Sequence, residues 1–341
     1  MPAKKPRRIQ PNWRACAVRL SAAIPLSELH PSSLAHAGSR AAAGPWAMAV
    51  SGGADSVALA LLLWGHFPAD RRRMVLLHFN HRLRGRAADT DAVFCMRLAR
   101  SLGIRSAVGE WKRRPADPGE AEARLARHEF FARDMKRLKS RTLWLAHQQD
   151  DVAESMLMRL ARGSGTAGLA APRAIQQVDG RWHVRPLLGL SKDRICSALT
   201  ETGATWREDA TNVTSRFFRN RVRSAVIPAW QRAAGRNAVA GAALARERLQ
   251  EDDEALEQWL AQHRPLSGRI LSVSRLKGLP MALWRRALHH WLAVVRPETD
   301  LSRRGFDALL AVLRSGRDSR FSLGAKGFAI LKRGSLSFKK S

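Results

Sequence analysis

The sequence predicts an α/β protein, a doubly wound parallel sheet followed by a mostly helical C-terminal domain. Three observations carry this. Short apolar runs alternate with stretches of helical periodicity from residue 45 to residue 162, the pattern of βαβ units. A Ser51-Gly52-Gly53 turn separates the first apolar run from the first helix. The 341 residues, 45% of them hydrophobic, suffice for two domains with packed cores.

The elements follow in order. Residues 46–50 form an apolar strand that stops at the glycine pair. Residues 57–67 read as a buried helix and 74–79 as a strand ending in Asn80-His81-Arg82. Residues 87–102 place Val93, Met96, Leu98 and Leu102 at helical spacing, and Gly103 stops the helix. Residues 104–111 read as a strand, 119–138 as a helix, 142–146 as a strand and 150–162 as a helix. Beyond Gly163 the regularity loosens. A strand at 182–188, a helix at 190–202 and helical character over 219–261 with a break at Pro228 are expected. Helices at 281–295 and 302–313 precede short runs at 321–323, 328–331 and 336–338 that would form a small sheet.

Three regions result: a leader over residues 1–44, an α/β domain over 45–230, and a mostly helical domain over 231–341 ending in a small β element. The leader opens Lys4-Lys5-Pro6-Arg7-Arg8 and holds one acid, Glu28. An organelle transit peptide and a flexible, solvated basic arm both fit, and composition favours the arm.

Lys plus Arg number 59 and Asp plus Glu 29, a formal charge of +30. Such an excess calls for a polyanion, with nucleic acid ahead of an anionic membrane surface. Cys16, Cys95 and Cys196 form no CxxC pair, which gives no support to a zinc site or disulfide framework and fits a reducing compartment. The apolar run at 57–64 is too short to span a membrane.

The strongest chemical signal is Ser51-Gly52-Gly53-Ala54-Asp55-Ser56 between a strand and a helix. Glycines let the backbone approach an anion, the helix start offers free N–H groups, and Ser51 and Ser56 add hydroxyls. Asp55 suits such a site if Mg²⁺ lies between it and the phosphates. The plainer reading is a turn with a helix cap. Asp150 and Glu154, four apart, share one helix face with Asp151 beside them. They can hold a metal or an ammonium group, or simply complement the helix dipole.

The hexapeptide resembles the SGGxDS signature of the PP-loop ATP pyrophosphatases, which cleave ATP between its α and β phosphates and adenylate a substrate. Further stretches resemble one branch, the tRNA(Ile)-lysidine synthetases: residues 78–85 (HFNHRLRG), Glu122-Ala123-Arg124 with Arg127-His128, residues 147–154 (HQQDDVAE), residues 162–169 (RGSGTAGL), Arg185-Pro186-Leu187-Leu188, residues 208–212 (EDATN) and residues 219–223 (RNRVR). His128 stands where that family has tyrosine.

The resemblance implies an ATP-dependent ligase that joins L-lysine to C2 of the wobble cytidine in a tRNA(Ile) with anticodon CAU. It implies Ser51, Gly52, Gly53, Ala54, Asp55 and Ser56 on ATP, and Asp55 and Asp150 on Mg²⁺. Asp55, Asp150, Asp151, Glu154 and Arg124 become catalytic candidates. The loop Arg162, Gly163, Ser164, Gly165 would lie near nucleotide and base, and Arg219, Arg221 and Arg223 on tRNA. A cytoplasmic enzyme without membrane association is expected, with a homodimer allowed. The rivals are another PP-loop tRNA-modifying enzyme, such as a thiolase, and a non-catalytic basic RNA-binding protein.

Overall fold

The computed structural model describes residues 11–340 except 84, 113–114, 116–117, 209–216, 296–300 and 325–326. The chain divides into two compact units, Met1–Arg248 and Leu249–Ser341. The first therefore runs beyond the expected boundary at residue 230.

The first unit opens with α1 (Trp13–Ala23) and α2 (Pro31–Ala37). Next come β1 (Trp46–Ala49), α3 (Ala54–His66), β2 (Met74–Asn80), α4 (Arg86–Leu102), β3 (Arg105–Glu110), α5 (Glu120–Arg137), β4 (Thr142–Trp144) and α6 (Gln149–Leu160). A short α7 (Thr166–Leu169) leads to a hairpin of β5 (Ile175–Val178) and β6 (Arg181–Val184), then to α8 (Lys192–Glu201). The sheet order is β3-β2-β1-β4-β6-β5, with only β5 antiparallel to its neighbour. Strand side chains alternate between two cores. Trp46, Met48, Leu76 and Trp144 face α3, while Ala47, Val75, Leu77 and Leu143 meet Phe130, Phe131 and Met135 of α5. Both faces are thus covered, as parallel strands require.

The leader is a correction. From Pro11 onward it is ordered and belongs to the core, not to a flexible arm. Trp13, Cys16, Ala17, Leu20 and Ile24 recur at helical spacing and are buried. They lie on α3, where a Cβ at Gly65 would stand 2.7 Å from the Ala17 carbonyl oxygen, so this glycine permits the close approach. Arg14 Nε donates to the Ser101 carbonyl at 3.0 Å, and Arg19 donates to that of Thr202 at 2.6 Å. The charge of the stretch suggests an arm, but its apolar stripe decides the fold.

After α8 the chain forms α9 (Phe218–Arg221), a π-helical turn (Val222–Val226), α10 (Ile227–Ala234) and α11 (Ala238–His263), which runs across the division between units. The helical break expected at Pro228 falls instead at Gly235, whose φ is +59°. Pro228 sits near the start of α10, where its missing N–H costs little.

The second unit holds β7 (Leu266–Ser267), β8 (Ile270–Ser272), α12 (Met281–Val295), α13 (Arg303–Ser315), β9 (Ser319–Ser322), β10 (Gly327–Lys332) and β11 (Ser335–Lys340). Its antiparallel sheet has the order β7-β8-β11-β10-β9. Leu283, Leu288, Trp291 and Leu309 of the helices pack on Leu271, Ala329, Leu331 and Leu336 of the sheet. Buried Arg286 pairs with Asp253 and Glu257. Among the described residues no helix is long and apolar enough to cross a membrane.

Candidate active site

β2 and β3 lie on one side of β1, and β4, β6 and β5 on the other. The chain therefore reverses its winding at β1, and sheets of this kind bind ligands beyond the carboxyl ends of the strands at such a point. The loop at residues 51–56 leaves β1 there. The buried His78 ring and the Cys95 thiol both bond the Val50 carbonyl just before it, at 2.9 and 3.7 Å. Arg207 N–H donates to the Gly52 carbonyl at 2.9 Å, while Arg207 Nε holds buried Asp91 at 2.7 Å. Gly52 has φ +97°, a conformation that glycine adopts without a Cβ penalty.

Ser56 Oγ ties the loop together. It accepts from the Ser51 and Gly52 amides at 3.2 and 3.1 Å and donates to the Gly53 carbonyl at 2.9 Å. Gly53 then caps α3, whose first-turn N–H groups face the crevice end without intrahelical partners. The arrangement is an anion cradle with a positive dipole end.

Asp55 receives Lys192 Nζ at 2.8 Å on each carboxylate oxygen. Burial pushes the Asp55 carboxyl up from its ordinary range, and Lys192 opposes that shift. The Lys192 backbone N–H donates to Asp150 Oδ2 at 3.3 Å. One residue at the start of α8 thus joins the loop to the start of α6. Gln148 caps α6 through the Asp150 amide at 2.7 Å, and Asp151 closes the box on the Gln148 amide at 3.1 Å. Gln149 reaches the carbonyls of Gly189 and Leu190 at 2.7 and 2.9 Å, fixing α6 against the segment before α8.

Glu154 is fully buried and takes Arg219 Nε at 2.7 Å, with Arg223 Nε on its other oxygen. Arg219 also reaches Asp151 at 3.4 Å, and Arg223 reaches it at 3.9 Å. These acids raise the basicity of both guanidinium groups against the opposing effect of burial. Of the three arginines expected on RNA, Arg219 and Arg223 thus turn toward Glu154, while exposed Arg221 lies over the Phe218 ring at 5.8 Å.

On the α5 face of the sheet, positive charge gathers, with Arg124, Arg127 and Arg185 acting together on the histidines there. His183 of β6 stacks with His128 of α5 at 6.1 Å between centroids. Burial, then Arg185 for His183 and Arg124 for His128, pushes both rings down to about 4. His147 is held well below its usual value by burial and by Arg185, Arg219, Arg127 and Arg124. Burial and neighbouring arginines bring Arg127 and Arg185 down to about 10.

The structure joins Asp55 to Asp150 through Lys192, and Asp151 to Glu154 through Arg219 and Arg223. It places the Arg162, Gly163, Ser164, Gly165 loop just past the far end of α6, which lies about 15 Å along the axis from Asp150. That end lies within the field of Arg124, which acts with Arg162 on Arg159. Of the motif at 208–212, only Glu208 lies within the described residues, and Arg84 of the motif at 78–85 lies outside them. Sequence reading missed Lys192, Arg207 and the site potential of Arg127 and Arg185. The Arg127-His128 pair and the Arg185-Pro186-Leu187-Leu188 stretch were the usable signals for the last two positions.

A loop of this form at the switch point of a parallel sheet defines a PP-loop nucleotide-binding domain. A family model described as "PP-loop domain" matches residues 29–230, and one described as "TilS substrate binding domain" matches residues 271–336. A tRNA(Ile)-lysidine synthase of Geobacter sulfurreducens is 37% identical over 284 residues, covering 78% of this chain and 58% of the relative. One of Salinispora arenicola is 34% identical over 302 residues, covering 85% and 89%. The U34-tRNA thiolase NcsA of Methanococcus maripaludis shares the fold with a TM-score of 0.52 at 15% identity, over 70% of this chain and 79% of that one. The chain belongs to the tRNA(Ile)-lysidine synthase family. It spans 58% and 45% of the length of the first two curated relatives it matches.

Proposed function

We propose that the protein ligates L-lysine to the wobble cytidine of tRNA(Ile) bearing a CAU anticodon, using ATP and releasing AMP and pyrophosphate. The observation that carries this reading is the Asp55–Lys192–Asp150 chain at the mouth of the loop, in a member of this family. It joins an anion cradle, two carboxylates and a cation at one end of the sheet.

The residues fit Mg²⁺ bound with ATP. Among the described residues there is no cluster of three metal ligands, so a dedicated protein cage is not the expected form. Two carboxylates, Asp55 and Asp150, supplemented by phosphate oxygens and water, match the way Mg²⁺ is commonly held. The ion would neutralise charge on the phosphates. Ser51, Gly52, Gly53, Ala54 and Ser56 would orient the phosphates through backbone N–H and hydroxyl groups, and Lys192 would move from Asp55 onto the charge developing on pyrophosphate.

Adenylation converts the C2 oxygen of cytidine into a good leaving group. Attack by the lysine ε-amine then forms the C–N bond and releases AMP. The amine must first lose a proton, which a nearby carboxylate or water chain would accept. Asp151 and Glu154 hold Arg219 and Arg223 in place to meet phosphate or base, and Arg124 and the 162–165 loop would meet the nucleotide or base from the other end of α6. Exposed Arg221 suits the RNA backbone. ATP, lysine and tRNA meet in the cytoplasm, where the enzyme would act.

The thiolase alternative has little to work with in thiol chemistry. Cys16 and Cys95 are buried, and burial pushes the Cys95 thiol up to about 12, far from a reactive thiolate. The test combines purified protein, ATP, labelled lysine and the tRNA transcript, followed by digestion and mass spectrometry. Lysidine at the wobble position is expected. Active, ATP-binding protein that incorporates no lysine into intact transcript would refute the reading.

A further inference from the structure

α8 carries Lys192 at its first position, and the leader grips the helix at both ends. At the start, Arg194 Nε and Nη2 donate to the two carboxylate oxygens of Glu28 at 3.1 and 2.8 Å, a paired fork. The same Nη2 reaches the Ala23 carbonyl. At the finish, the Thr202 carbonyl accepts from Arg19 Nη2 at 2.6 Å and from the Cys16 thiol at 3.2 Å. The last carbonyls of a helix have no intrahelical partners, and a cation beside them also complements the dipole. Between these grips the His30 amide donates to the Pro186 carbonyl at 2.9 Å, which ties the leader to the segment running into α8. Ser191 caps α8 through the Arg194 amide at 3.1 Å, so the residue that Glu28 holds also closes the first turn.

The packing repeats the arrangement. Leu20 and Ile24 share one core with Val57 and Leu61 of α3 and with Ile195, Ala198 and Leu199 of α8, and α1 touches both helices. α3 begins at the phosphate loop and α8 begins at Lys192. The Asp55–Lys192 contact therefore spans two helix starts whose spacing α1 sets. Cys16, Arg19, Ala23 and Glu28 all precede residue 29, where the PP-loop match begins.

We propose that Glu28 and Arg19 are positioning residues for adenylation, holding α8 at its two ends and so fixing Lys192 over the phosphate loop. The inference rests on the ligase reading above and gives the leader a part in it. The Lys192 ammonium meets the charge developing on pyrophosphate only where its helix keeps its place, and a misplacement of about 1 Å can cost about 100-fold in rate. Folding gains little from the Glu28 grip. The Arg194 and Glu28 side chains are 36% and 34% exposed, and an ion pair so open to water adds little to stability.

The experiment is a double-variant cycle on pyrophosphate release with saturating ATP, tRNA transcript and lysine. E28Q keeps the size of the side chain and removes its charge, and R19M removes the grip at the other end. Each should slow pyrophosphate release by about 10-fold. The lysine KM and the tRNA Kd should stay within about twofold of the wild type, and Tm within about 2 °C. In a K192M background each should cost less than about twofold more, because the group they position is gone. An undiminished loss in that background would overturn the proposal, since the grips would then act on something else. A fall in Tm with pyrophosphate release unchanged would overturn it in favour of a brace for the fold alone. If R19M loses cooperative unfolding, E28Q carries the cycle. If the wild type releases no pyrophosphate, the ligase reading falls separately, and the cycle is read on the calorimetric Kd for ATP. Binding that E28Q weakens in the presence of Lys192 but not in K192M supports the proposal, and equal effects in both, or none, overturn it.

Discussion

Glu154→Gln should destabilise the first unit by about 3 kcal/mol. The carboxylate is fully buried and is shared by the Nε atoms of Arg219 and Arg223. Glutamine preserves volume and one acceptor but presents an NH₂ group to a second guanidinium, placing donor against donor. Removing one partner of a buried ion pair costs about 3–5 kcal/mol. Arg219 and Arg223 are 24% and 41% exposed, and Asp151 stays within 3.4 and 3.9 Å of them, which brings the expected cost to the low end of that range. Unfolding entropy of about 2.1 cal/mol/K per residue over Met1–Arg248 gives roughly 0.5 kcal/mol/K, so Tm should fall by about 6 °C. Scanning calorimetry reads this directly. A shift below about 1 °C would refute the claim that Glu154 holds the two arginines. The triple variant E154L/R219M/R223L removes the charges together and should recover most of the stability while abolishing ligation. Recovery of both would show that the triad serves packing alone.

Three further outcomes follow from the geometry. Lys192→Met removes the cation 2.8 Å from Asp55, so AMP formation should fall by about two orders of magnitude while filter-binding affinity for tRNA stays within twofold. Gly52→Ala forces a Cβ onto a residue at φ +97°, which should cost about 1–2 kcal/mol and lower Tm by about 2–4 °C in the calorimeter, with weaker ATP binding. His183, 6% exposed, falls to about 4 in the folded state against about 6.5 unfolded. Its neutral form therefore contributes stability that is fully present above pH 6.5 and is lost as pH falls toward 4. The difference is on the order of 3 kcal/mol. Urea unfolding at pH 7 and pH 4.5 should show the loss, and His183→Gln should reduce it. A slope that His183→Gln leaves unchanged would contradict the assignment.

What the sequence disclosed depended on whether the signal was local. The strands, the helices and the phosphate loop were legible because each is written in consecutive residues: an apolar run, a glycine pair, a periodic stripe. The stripe of α1 was equally local, at positions 13, 16, 17, 20 and 24, but the basic composition around it masked its period. Lys192 was not legible, since its role needs residue 55 to lie beside residue 192, and only the β1–β4 switch point creates that neighbourhood. The inward turn of Arg219 and Arg223 was hidden for the same reason, because their partners lie 65 to 69 positions earlier. This changes the meaning of the +30 charge. Read from composition alone, every excess arginine is a candidate grip for a polyanion. In the fold, several are braced by acids, Arg219 and Arg223 by Glu154, Arg207 by Asp91 and Arg194 by Glu28, so the charge open to a polyanion is smaller than composition suggests.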